Sequence, residues 1–366
     1  MRVLGFMTGT SLDGIDVAVL ETDGESITKH GPYEEYALSD ELRSLLKETT
    51  LKALEWKGEG AEPEIFHKAT KAITDLHIKE GKDFMRSHNI DSIDLIGAHG
   101  QTVYHRRPQN GRLGFTKQLL DPQSLAKAFK VPVWSDFRSH DISQGGEGAP
   151  LAPIYHQALV RSARLLGPVV VINLGGVANI TAVYDDQIIA MDTGPANGLM
   201  DQWVQAHNKG LFDKDGEGAK KGSVHLSVLE ILLSHSFFNE PYPKSLDRYD
   251  FSLEPLKELS YEDGLATLDA FTRTALKMGI ENCGPRPKRA ILCGGGRLNA
   301  HLYQGIVSDL APIEVLTAEE IKWRGSAIEA EAFAFLAARS ELGKPISFPT
   351  TTGAPYALAG GVKTKP

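Results

Sequence analysis

The chain has 366 residues, and 39 basic against 47 acidic side chains leave a formal charge of −8. Hydrophobic content of 42% and charged content of 23% are ordinary globular usage, which excludes intrinsic disorder and fibrous repeats. At roughly 100–200 residues per domain the length predicts two domains or two lobes, and the acidic balance argues against a nucleic-acid-binding field.

In chain order, Val3-Leu-Gly-Phe6 reads as a strand, Met7–Gly14 as a turn and Ile15–Leu20 as the returning strand, closed by Asp23-Gly24. This is a hairpin, not a strand–helix unit. Apolar spacing predicts helices over 40–54 and 62–88: Leu42, Leu45 and Leu46 fall at i, i+3, i+4, and Phe66, Ala69 and Ile73 at i, i+3, i+7. Pro63 suits a first helical turn. Ile93–Ala98 is a strand ending in a loop, His99-Gly-Gln-Thr102, and Val131–Trp134 is another, running into Ser135-Asp-Phe-Arg138. The polar, glycine-rich stretch 139–150 is expected to cross between lobes, with 144–148 as a hinge. Pro168–Asn173 is an apolar strand, Leu174–Asn179 a turn and Ile180–Tyr184 a return. The pattern of residues 3–20 thus recurs and predicts an internal duplication. A third glycine turn, Ile291–Arg297, leads into a helix start at 298–303. The last helix places Ile328, Ala332, Phe335 and Leu336 on one apolar face.

Only Cys283 and Cys293 occur, with no Cys-x-x-Cys pair, so neither a disulfide framework nor a cysteine zinc site is expected. His99 and His105 lack a third ligand cluster, which argues against zinc there too. No apolar run approaches the roughly 18 residues that span a bilayer, and the opening Met-Arg-Val-Leu-Gly-Phe lacks a signal-peptide pattern, so a cytoplasmic location is expected.

Glycine-rich hairpin turns expose N–H groups that can converge on phosphate, and Thr or Ser adds hydroxyl donors. Thr8, Gly9, Thr10 and Ser11 fit that role in the first half, and Gly175, Gly176 and Asn179 in the second. Asp13 and Asp16 either serve the turn or hold a hard cation through water. Gly294, Gly295 and Gly296 would let an adenosine ring lie flat against backbone. No Gly-x4-Gly-Lys-Ser/Thr occurs and no Gly-x-Gly-x-x-Gly opens a helix, which argues against P-loop and Rossmann sites.

Two phosphate hairpins followed by an adenosine turn resemble the actin–hexokinase–heat-shock-protein superfamily of ATP-binding proteins. The longer strings resemble the anhydro-N-acetylmuramic acid kinase family. They are Met7–Asp16, Ala98-His-Gly-Gln-Thr102, Ser135–Arg138, Gly145–Leu151, Asn173–Asn179, Asp192-Thr-Gly-Pro195, Leu199-Met-Asp201 and Cys293–Arg297, spread over residues 3 to about 340. The resemblance implies an α/β, two-lobed, actin/hexokinase-like (ribonuclease H-like) fold, each lobe a mixed five-stranded sheet flanked by helices, with a cleft between lobes. One lobe would comprise 1–134 and about 343–366, the other 135–342. The implied enzyme is a cytoplasmic homodimer of cell-wall recycling, with neither nucleic acid nor membrane as partner. It would use ATP, with Mg²⁺, and water to convert 1,6-anhydro-N-acetylmuramic acid into N-acetylmuramic acid 6-phosphate and ADP. Implied nucleotide contacts are Gly9, Thr10, Ser11, Leu12, Asp13, Gly14, Ile15, Asp16, Gly175, Gly176, Asn179 and Gly294–Gly296. Implied sugar contacts are His99, Gln101, Thr102, Arg138, Gly194 and Pro195. Where the family pattern often has glycine, this chain has Ala196, whose methyl group would narrow the loop.

Such chemistry needs a base for water at C1, a phosphate-positioning surface at O6 and charge neutralisation. Asp192 follows the apolar run Ile188–Met191 where the strand is expected to become a loop, and it is the leading base; its alternative is a cap on the helix near Asn197. Arg138 would anchor the lactyl carboxylate through two parallel hydrogen bonds or aid in placing the water as a catalytic residue; the alternative is a surface ion pair with Asp136 or Asp141. Glu329 reaches the site as a catalytic residue by resemblance, or is a solvated helical carboxylate; Asp201 is read as pairing with a neighbouring cation. Two other functions stand beside this reading: a different sugar or carboxylate kinase of the superfamily, and a nucleotide-driven protein clamp.

Overall fold

Seven consecutive apolar-rich residues form the first strand, β1 (Arg2–Thr8), which pairs antiparallel with β2 (Gly14–Thr22), Thr8 standing opposite Ile15. The computed structural model describes residues 1–109, 111–246 and 250–366. By their contacts these form two compact units, Met1–Ser162 with Ala327–Pro366, and Ala163–Ser326.

The first unit continues through β3 (Ile27–Ala37), α1 (Asp40–Trp56), α2 (Ile65–Ser87), β4 (Leu95–Arg106), β5 (Phe115–Leu119), α3 (Pro122–Phe129), β6 (Val133–Ser135), α4 (Ser139–Ser143) and α5 (Pro153–Ser162). The second holds β7 (Val169–Leu174), β8 (Val177–Tyr184), β9 (Gln187–Pro195), α6 (Asn197–Ala206), α7 (Leu226–Leu233), α8 (Tyr261–Glu281), β10 (Arg289–Cys293), α9 (Ala300–Leu310) and β11 (Glu314–Thr317). The chain then rejoins the first unit as α10 (Ile328–Glu341) and β12 (Val362–Thr364).

Each unit is built on a mixed sheet. The first has the order β12-β6-β4-β1-β2-β3 with β5 paired to β4, and the second β11-β10-β7-β8-β9. In the first, β1–β2 and β2–β3 are antiparallel while β1–β4 and β4–β6 are parallel. In the second, β7–β8 and β8–β9 are antiparallel while β7–β10 and β10–β11 are parallel. Five strands with one order and one set of directions therefore occur twice, so the duplication expected from the two hairpins extends to the sheets. The fold is the α/β class anticipated, with helices against each mixed sheet. The first sheet has seven strands rather than five, because short β5 and β12 add to the shared set.

One face of the first sheet is covered by α2 and α3, through Phe6, Phe84, Leu125 and Ala126. The other face takes α10 at very short range. A Cβ on Gly5 would lie 2.0 Å from the Ala330 carbonyl oxygen, and one on Gly97 would lie 2.1 Å from that of Phe333. In the second unit α8 seats against β9, where a Cβ on Gly279 would meet Thr193 Cγ2 at 2.4 Å.

Several expectations are corrected. α2 begins at Ile65 after Glu64, so Pro63 precedes the helix, its carbonyl accepting from Phe66 N. β3 carries mostly polar, half-exposed residues at a sheet edge and so offered no apolar alternation. The stretch 99–102 is not a loop: β4 runs on to Arg106, because Gly100 (φ 73°) absorbs a bulge and β5 pairs with the extension. β8 starts at Val177, which shortens the second turn to Gly175-Gly176. Residues 139–150 stay inside the first unit. There Asp141 fixes them, its carboxylate accepting from Gly148 N (2.7 Å) and Thr352 Oγ1 (2.6 Å) and its carbonyl from Gly146 N (2.9 Å). That is not the bonding of a hinge. α10 is buried on every side rather than along one face, with α5 packed against it through Tyr155 and Phe335. The units divide at 162/163 and 326/327, whereas 134/135 and about 342/343 were expected. Both α5 and α10 are held by the first sheet's packing.

Among the described residues no helix is long and apolar enough to cross a membrane. The contact at Gly97 gives a direct test. Gly97→Ala forces its methyl into the helix backbone and should destabilise the protein by about 1–3 kcal/mol, the usual cost of overpacking, read as a lower denaturant midpoint.

Candidate active site

In the first unit the turn between β1 and β2 is shaped from below. Leu12 adopts a left-handed conformation (φ 59°), and its buried side chain joins Leu38, Leu46 and Phe66. Its carbonyl accepts from Arg43 Nε (2.9 Å), and that of Asp13 from Leu38 N (3.0 Å). Asp13 does serve the turn, Oδ1 accepting from Ser11 Oγ (2.7 Å) and Gly14 N (3.0 Å). Thr10 and Ser11 are exposed and Gly9 half-buried, while Ile15 lies in the core. For Leu12 and Ile15, therefore, only main-chain atoms are available to a ligand. Thr8 and Gln101 pair in register between β1 and β4; Gln101 Nε2 donates to the Gly9 carbonyl (3.2 Å), while Thr8 Oγ1 and Gln101 Oε1 are buried without a protein partner.

Asp16 follows on β2, accepting from Tyr33 hydroxyl at 2.9 Å. Burial, with the charges of Glu329, Glu35 and Asp13, pushes its carboxyl up to about 7 against the partial opposition of Tyr33. Glu329, at the start of α10, is thus a neighbour of Asp16 and not a remote helical carboxylate. Among the described residues no group of three His, Cys, Asp or Glu is arranged to hold a metal. An oxygen-only set of one or two carboxylates does fit a cation that keeps its waters.

His99 and Arg138 are brought together: Arg138 Nε donates to His99 Nε2 (3.0 Å), His99 Nδ1 lies 2.7 Å from the Gly100 carbonyl oxygen, and Arg138 Nη1 donates to that of Gly148 (2.7 Å). Asp136 accepts from Ser139, and Asp141 from Gly148 and Thr352. Thr102 Oγ1 accepts from Gln118. His105 is half-buried, and desolvation and Arg138 press its pKa down to about 4.

In the second unit, register aligns Cys293, Asn173, Asn179 and Asp192 in one row across β10, β7, β8 and β9. Asp192 lies within β9 and not at its end, because the strand continues past a bulge to Pro195 opposite Val177. Its carboxylate accepts from Leu246 N (2.7 Å) and its N–H donates to the Lys244 carbonyl (2.9 Å). Helix α6 has no side-chain cap, which removes the capping alternative. Lys244, unremarked in the sequence, secures this clasp by donating to the Phe237 carbonyl (2.7 Å) and lying 4.3 Å from that ring's centroid. Gly194 and Pro195 are buried against α8, Thr272 donating to the Pro195 carbonyl. Ala196 N and Gly198 N both donate to the Gly176 carbonyl (3.1 Å each), so the second hairpin is seated on the start of α6. Asp201 falls within α6.

The glycine turn 294–296 packs on the same hairpin. A Cβ on Gly294 (φ 73°) would strike Asn173 Oδ1 at 2.4 Å, and one on Gly296 would strike Leu174 Cβ at 2.7 Å. Arg297, quoted in a motif but given no role, locks this turn: Nη1 donates to the Gly294 carbonyl (2.8 Å), and Nε and Nη2 grip Glu319. Its partner lies 22 residues away and gave no local signal.

A protein-family model described as "Anhydro-N-acetylmuramic acid kinase" matches residues 1–365. The relatives include proteins named anhydro-N-acetylmuramic acid kinase from Phenylobacterium zucineum, 50% identical over all of both chains, and from Caulobacter vibrioides, 50% identical over 99% of this chain and 98% of the other. A third, from Mesorhizobium japonicum, is 46% identical over 98% and 97%.

Asp16 should leave a mark on stability. Its carboxyl titrates near 7 in the fold against an ordinary 3.8, so the folded state binds the extra proton between those values. The contribution to stability is full below 3.8 and is lost as pH rises through about 7. In metal-free buffer the melting temperature of Asp16→Asn should therefore gain on the unsubstituted protein from pH 4 to about 7 and then level off.

Proposed function

The chain belongs to the anhydro-N-acetylmuramic acid kinase family, and on that premise we propose that it opens the 1,6-anhydro bridge of 1,6-anhydro-N-acetylmuramic acid with water and phosphorylates O6 from ATP. The products are N-acetylmuramic acid 6-phosphate and ADP. The match across residues 1–365 is the observation that carries this reading.

Asp192 accepts a proton from water as the water oxygen bonds to C1. The C1–O6 bond breaks with its electron pair going to O6, O6 bonds to the γ-phosphorus, and the bond to the β,γ-bridging oxygen breaks to release ADP. A general base needs one fixed orientation, and the Leu246 N–H on Asp192 Oδ2 is consistent with that. Arg138 anchors the lactyl carboxylate with His99 behind it, and Gln101, Thr102, Gly194 and Pro195 belong to the sugar site. Main-chain donors of Gly9, Thr10, Ser11, Gly175 and Gly176, with Asn179, hold phosphate, while Gly294, Gly295 and Gly296 receive adenosine. Glu329 adds a second carboxylate beside Asp16.

Asp13 and Asp16 would hold Mg²⁺ through water; burial chiefly lifts the Asp16 carboxyl, and the lesser repulsion from Glu329, Glu35 and Asp13 is of the kind a cation relieves. When bound, that ion supplies charge neutralisation for the triphosphate. We place the enzyme in the cytoplasm, as a homodimer, in recycling of cell-wall sugar.

ADP release should be seen with 1,6-anhydro-N-acetylmuramic acid and phosphate found on O6; phosphorylation of N-acetylglucosamine but not of the anhydrosugar would overturn the reading. In H₂¹⁸O the label should appear at the C1 hydroxyl. Asp192→Asn should lower kcat by about 10²–10⁴-fold, the usual worth of a general base, with nucleotide affinity by calorimetry unchanged.

A further inference from the structure

His99 is 4% exposed, and both of its ring nitrogens are spent on the protein. The Gly100 carbonyl oxygen beside Nδ1 can only accept, so Nδ1 carries the proton. Nε2 is then a lone-pair acceptor, and it faces Arg138 Nε, which can only donate. The tautomer follows from the chemistry of the two partners. The imidazole plane is held by the Phe333 ring, 4.6 Å away between centroids. Burial and the Arg138 cation, with smaller contributions from His77 and His105, keep the ring's pKa well below 6.5, so the acceptor stays neutral. With Nη1 on the Gly148 carbonyl, two points on one planar guanidinium are fixed by the protein.

The geometry points to His99 as a positioning residue that sets the angle of the Arg138 guanidinium toward an anionic substituent of the substrate, and not as a group that touches the sugar. This rests on the reading of Arg138 as the carboxylate anchor. A neutral histidine is suited to the task because it accepts from arginine without competing for the anion, as a carboxylate partner would.

A double-mutant cycle tests it, with kcat/KM for 1,6-anhydro-N-acetylmuramic acid as readout and melting temperature as control. Arg138→Met and His99→Leu should each lower kcat/KM, by roughly ten- to a hundredfold for the arginine as expected for a lost charge-assisted hydrogen bond, chiefly through KM. The double variant should be no worse than Arg138→Met alone. His99→Gln, whose amide oxygen reaches the Nε2 position, should recover most of the loss, and His99→Asn should not. Multiplying effects in the double variant, or a well-folded His99→Gln as impaired as His99→Asn, would overturn the positioning role while leaving the anchor intact. An Arg138→Met enzyme with unchanged kcat/KM would overturn the anchor itself, and the positioning role with it. Should His99→Leu fail to fold, the Gln and Asn pair decides.

Discussion

The approach of α10 to β1 and β4 is the contact on which the first unit's site depends. Without side chains at Gly5 and Gly97 the helix backbone lies directly on the sheet, opposite Ala330 and Phe333. One residue before the first contact is Glu329, which thereby becomes a neighbour of Asp16. At the second contact Phe333 turns its ring onto His99, two residues beyond Gly97 on β4. A single steric permission thus sets both the carboxylate cluster and the histidine that holds Arg138. A larger residue at either glycine would move the helix and separate both pairs.

The second unit reaches a comparable result by other means. Its five strands repeat the order and directions of the first. Yet its hairpin is a bare Gly175-Gly176 turn seated on the start of α6, where the first is a longer loop with hydroxyl side chains. The glycine turn at 294–296 leans on that hairpin, and Arg297 and Glu319 brace it from outside. Duplicated sheets have supplied the same scaffold, and the turns have diverged on it.

What the sequence disclosed and what it withheld follow from the range of the interactions. The hairpins, the glycine turns and α10 were legible because glycine placement and a run of apolar residues are local signals. The extension of β4 through His99 was not, because Gly100 reads as a turn and only the pairing with β5 makes it a bulge. β3 was silent because an edge strand carrying charge does not alternate. The setting of Asp192 was misplaced, since the bulge that carries β9 on to Pro195 depends on β8. Lys244 and Glu319 work through partners distant in sequence or through main-chain carbonyls, which no motif records. The division of the chain follows the same logic, for α5 and α10 belong with the first sheet through contacts such as Tyr155 to Glu331 (2.6 Å).

Leu12 adds a last consequence. A left-handed leucine costs about 1–2 kcal/mol of backbone energy, while burying its side chain contributes about 1.5–3 kcal/mol, so the hydrophobic interior dictates the bend of a polar loop. The carbonyls of Leu12 and Asp13 are already committed to Arg43 and Leu38. The loop is therefore preorganised: its ordering entropy was spent during folding, and more of the interaction energy of any group it meets is left to appear as affinity.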